Sequence, residues 1–141
     1  MNKKLFSVSL AIVAALLLAA VSSSAAGSKT FTVKMTGGQE SPKGSPSGKG
    51  SATITLKQSS GKVCFNLSWS GIGTPTASHI HAGKRGKAGP VVIPIFGGTP
   101  KHKGCVPAPK ALIGKIIKNP SGYYVNVHTA KFPGGALRGQ L

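Results

Sequence analysis

The stretch YYVNVHT, Tyr123–Thr129, decides the class of the fold. It is dense in aromatic and β-branched residues and sends alternate side chains to opposite faces, as a strand does. Phe132-Pro133-Gly134-Gly135 reads as a turn, and residues 136–141 as a closing strand. Upstream, the same period of two recurs. Phe31, Val33 and Met35 alternate with Thr32 and Lys34, and Ala52, Ile54 and Leu56 with Thr53 and Thr55. After the turn Ser59-Ser60-Gly61, the run Val63, Phe65, Leu67, Trp69 completes a hairpin with one apolar face. Residues 77–82 form a further strand carrying His79 and His81, and residues 91–96 a buried one that Pro94 confines to an edge or a bulge. Only residues 109–118 break the pattern. Apolar residues at 112, 113, 116 and 117 have helical spacing, and Pro120 stops the helix. About seven short strands with frequent Gly and Pro breaks imply an all-β fold, an antiparallel sandwich or barrel with one short helix.

The N-terminus reads as an export signal over residues 1–26. Lys3 and Lys4 precede an apolar run from Leu5 to Val21, and small residues at 22–27 suit a signal peptidase. Retention of the run as a membrane anchor is the alternative, since its length is near the lower limit for a span. Residues 27–141 then form one domain. In an exported chain, Cys64 and Cys105 pair as a disulfide rather than remain as buried thiols. Closing a loop of about 40 residues is worth roughly 4 kcal/mol in the chain-entropy model.

The chain has 18 Lys and Arg against a single acid, Glu40, for a formal net charge of +17. Without Lys3 and Lys4 the charge is +15. Aspartate is absent, which excludes a Ser-His-Asp triad, a carboxylate pair for glycoside hydrolysis and an oxygen-rich calcium cage. Enzymatic activity is not expected. The charge implies anionic surroundings, either cell-envelope polymers or lipid head groups. Aromatics do not interleave with the basic residues, so a dedicated nucleic-acid surface is not expected.

Two segments carry a family resemblance: ASHIHAGKRGKAGPVVIPI, residues 77–95, and NPSGYYVNVHTAKFPGGALRGQL, residues 119–141. Together they resemble the CHRD domain, named from chordin and found in bacterial secreted proteins, and GGQESPKG at residues 37–44 is similar to that family's first loop. The resemblance implies an extracellular protein with an immunoglobulin-like or superoxide-dismutase-like sandwich. Ala136 departs from the pattern, because many members carry an acid there. A dismutase site is out of reach, since four histidines and no aspartate cannot supply its copper and zinc ligands.

The histidines offer one further chemistry. His79 and His81 are two apart, so on a strand they share a face with Cα atoms roughly 6.6 Å apart. His128 shares a face with Asn126 and Tyr124. If the two strands meet, His79, His81 and His128 form a three-nitrogen site suited to copper or zinc. The competing reading is a hydrogen-bonded cluster in which His79 and His81 lock residues 83–89 through backbone carbonyls while His128 and Asn126 brace the last hairpin. His102, between Lys101 and Lys103, reads as exposed and incidental. Arg138 is expected to pair with Glu40 and tie residues 37–50 to the closing strand.

Overall fold

The computed structural model describes residues 27–141, and the export segment expected over residues 1–26 lies outside them. Eight strands and one helix follow in the order β1 (Ser28–Thr36), β2 (Lys49–Lys57), β3 (Lys62–Ser70), β4 (Pro75–Ala82), β5 (Val91–Gly97), β6 (Lys103–Pro107), α1 (Lys110–Lys118), β7 (Tyr123–Thr129) and β8 (Leu137–Gln140). All pairings are antiparallel, and the hydrogen-bonded order is β5-β4-β7-β8-β1-β2-β3-β6. The edge strands β5 and β6 approach each other, so the sheet curls into a nearly closed barrel. The all-β antiparallel class is therefore borne out. The strands form one continuous sheet, and a two-sheet sandwich is not confirmed.

The alternating residues of the sequence line the interior. Met35, Ala52, Ile54, Leu56, Val63 and Leu67 meet Ile80, Ile93, Val125, Val127 and Leu137 in one core. The helix lies where its spacing places it and buries Ile113 and Ile116 in that core. Pro94 sits in the edge strand β5, beside an irregularity in its register with β4. Strand β6 was not foreseen. Its sequence KGCVP has no alternation, and the cross-strand pair Cys64↔Cys105 locks it to β3 as a disulfide.

Candidate metal centre

Strands β4 and β7 pair so that Ala77 opposes His128, His79 opposes Asn126 and His81 opposes Tyr124. Ile80, Val125 and Val127 point into the core, so by strand alternation the other set lies on the outer face. That face would be open to water on a bare barrel. Here Tyr124 and Asn126 are buried and His128 half-buried, because residues 83–89 and the turn after β7 fold over them. His79 is half-buried and His81 buried on the facing strand. The structure thus brings together all three histidines singled out in the sequence. One nitrogen from each can be chosen so that all lie within 4.8 Å of one another.

The outer nitrogens have fixed work. The Nδ1–H of His81 donates to the Gly89 carbonyl at 2.8 Å, and that of His128 to the Pro133 carbonyl at 2.9 Å. A neutral imidazole with its proton on Nδ1 presents a lone pair at Nε2. Both Nε2 atoms point inward, towards Asn126 Oδ1 at 3.1 Å and 3.0 Å. Nδ1 of His79 lies 3.1 Å from Nε2 of His128. Carbonyl partners on the distal nitrogens are the usual means of setting the tautomer and aim of metal-bound imidazoles. Of the hydrogen-bonded reading, His81 braces residues 83–89 and His128 braces the last turn as expected, whereas His79 bonds His128 and not that loop.

Electrostatics favour the uncharged forms of His79 and His128. Burial, aided by the neighbouring His128 and His81, lowers the pKa of His79 to about 4. Burial also lowers His128, against the raising effect of its bond to Pro133. Beside them lies the only acid. Glu40 is 6 % exposed, and its Oε1 has no hydrogen-bond partner. Burial raises its pKa to about 7, opposed by the charge of Arg138 and by hydrogen bonding from the Asn126 side chain and the Ser41 backbone. Gly135, at φ 134°, lets the last turn pass over Glu40, where a Cβ would collide with the carboxylate.

Arg138 corrects an expectation. It does not pair with Glu40. Its guanidinium donates to the carbonyls of Lys87 and Lys84, both at 2.8 Å, and to Gln140 Oε1 at 3.0 Å. It lies 3.4 Å over the Tyr124 ring, whose other partner is the His81 ring, stacked at 4.8 Å. Gln140 Nε2 adds a bond to the Gly83 carbonyl at 2.9 Å. Strand β8 therefore pins the basic loop 83–89, and that loop supplies the carbonyl that orients His81. The tie between residues 37–50 and the C-terminal region exists by another route, the Ser45 N–H donating to the Ala136 carbonyl at 2.9 Å. Arg138 was misassigned because an arginine can be satisfied by backbone carbonyls, which no residue count reveals. Asn126 gave a signal: a polar residue amid valines on the best strand needs partners when buried. His102 is exposed and lies outside the cluster. It stacks on Trp69 at 4.0 Å, with Nδ1 donating to the Leu67 carbonyl at 2.9 Å.

Barrel, disulfide and surface histidine cluster together define a small stapled β-module with a prepared three-imidazole face. Residues 31–141 match the CHRD domain, and the chain belongs to that family. No curated protein and no solved structure matches it.

Proposed function

We propose that this exported module binds a divalent transition metal, Cu(II) or Zn(II), through His79, His81 and His128, and that its role is binding rather than catalysis. One observation carries the reading: one ring nitrogen from each of His79, His81 and His128 lies within 4.8 Å of the others, and the Gly89 and Pro133 carbonyls hold the Nδ1–H groups of His81 and His128 so that their Nε2 lone pairs face inward. In the metal-free chain His79 Nδ1–H can donate to His128 Nε2 at 3.1 Å; with its proton on Nε2 instead, His79 presents a third inward lone pair, and neutral imidazole nitrogen is a preferred donor for both metals. Low histidine pKa values help, since protons then compete weakly for the same nitrogens. Export accords with the disulfide. Calorimetric titration of CuCl2 and ZnCl2 into the metal-free chain should show one site per molecule, weakened at least tenfold in His81→Ala. Millimolar binding, or wild-type affinity in that variant, rejects the reading.

A second reading concerns the rest of the surface. Every lysine among the described residues is exposed, whereas the only acidic side chain is buried. The surface is then almost uniformly cationic, and anionic envelope polymers or anionic lipid head groups are its natural partners. Retention on anionic vesicles at low salt, with release as salt rises, is expected. Absence of retention at low ionic strength removes this reading without touching the metal site.

A further inference from the structure

Resting on the three-histidine reading, a further inference concerns the amide beneath those rings. We propose that Asn126 supplies a fourth donor through Oδ1 and that Glu40 is the positioning residue that turns this oxygen toward the metal. The geometry demands a partner for that oxygen. Asn126 is 1 % exposed, and Oδ1 stands 3.1 Å from His81 Nε2 and 3.0 Å from His128 Nε2. Both nitrogens carry lone pairs, because the ring protons are on the far side, with Gly89 and Pro133. An amide oxygen facing two such nitrogens makes no hydrogen bond with either. Turning the amide over would let Nδ2 donate to both rings, yet the oxygen is what faces them.

Glu40 accounts for that orientation. With the oxygen toward the histidines, the NH2 end is left for the carboxylate, which needs donors because it is buried and Oε1 has none. Reversing the amide would set its oxygen against the carboxylate. The chain buries its only acid here, under a glycine whose missing Cβ leaves it room. A cation among the inward atoms relieves the facing of Asn126 Oδ1 against the Nε2 lone pairs of His81 and His128. Three of the separations, 3.0 Å and 3.1 Å, are close to the edges of about 3.3 Å expected between donors around tetrahedral zinc with bonds near 2.0 Å, and the ring nitrogens, up to 4.8 Å apart, would draw together on binding.

The test uses the full chain with ZnCl2 and CuCl2. In the wild-type protein, Zn(II) saturation should move the Asn126 side-chain carbonyl carbon resonance while its NH2 pair stays hydrogen-bonded. Asn126→Ala should lower Zn(II) affinity roughly 10–100-fold, while electron paramagnetic resonance of the Cu(II) form still shows nitrogen coupling from three imidazoles. Glu40→Gln should lower affinity by about tenfold, as losses of outer partners do. Metal binding at three nitrogens with an unmoved Asn126 carbonyl overturns the donor assignment and leaves the three-histidine reading standing. Wild-type affinity in Glu40→Gln overturns the positioning role. A wild-type chain that takes up neither metal overturns the three-histidine reading and this assignment with it. The resonance measurement needs no variant, so a misfolded Asn126→Ala protein does not shield the proposal.

Discussion

Glu40 and His79 pull the stability of the metal-free protein in opposite directions as pH changes. His79 drops from its ordinary 6.5 to about 4, so the unfolded chain binds the extra proton first. Its effect is absent above pH 6.5, and stability falls as pH is lowered from there towards 4. Glu40 rises from 4.5 to about 7, so its protonated form is favoured in the folded state. Its contribution is complete below pH 4.5 and is lost as pH rises through 7. Glu40→Gln keeps the shape and removes the titration. Melting curves in chelator should show Glu40→Gln gaining on the wild type between pH 5 and pH 8, and a constant difference would contradict the assigned shift. Gly135 is the second residue of consequence. A side chain there is strained at φ 134° and strikes Glu40, so Gly135→Ala should destabilise by about 1–3 kcal/mol in chemical denaturation.

At the scale of elements, legibility followed burial on one face. Strands β1, β2 and β3 show an inward apolar row against outward Thr, Ser and Lys, and their period of two is plain in the sequence. The helix was legible for the same reason, since one stripe of four apolar residues meets the core. Strand β6 was not. Its five residues are exposed or half-buried, so no hydrophobic pattern marks it, and only Cys105 hinted at its place beside β3. The histidine cluster was half legible. The HxH spacing put His79 and His81 on one face, but the approach of β7 is a tertiary pairing between segments far apart in sequence. The backbone carbonyls that aim the rings left no trace in side-chain identities. Two consequences are measurable by denaturant titration. Cys64→Ser with Cys105→Ser should cost roughly 2–4 kcal/mol by freeing β6 and the loop it closes. Ile116→Ala, at a position with no solvent exposure, should cost about 2–5 kcal/mol, because the helix covers the core through it.

For the whole molecule, the site lies on a seam rather than on one element. His79 and His81 come from β4 and His128 from β7, while the loop that orients His81 is pinned by Arg138 and Gln140 of β8. A metal held there would join β4 to β7 in the half of the sheet that contains no disulfide, since the disulfide ties β3 to β6 at the other end of the strand order. A ligand that binds only the folded chain stabilises it by mass action, by about 2.7 kcal/mol at a hundred times its dissociation constant. Zn(II) at that excess should therefore raise the melting temperature by roughly 10 °C, at about 4 °C per kcal/mol for a domain of this size. The rise should persist in the chain reduced at Cys64 and Cys105, because the two staples act on different strand pairs, and it should vanish in His128→Ala. High salt provides the control: it weakens contacts of exposed lysines with polyanions but leaves a largely buried metal centre intact. A melting temperature that Zn(II) raises equally in the wild type and in His128→Ala would place the metal elsewhere on the protein.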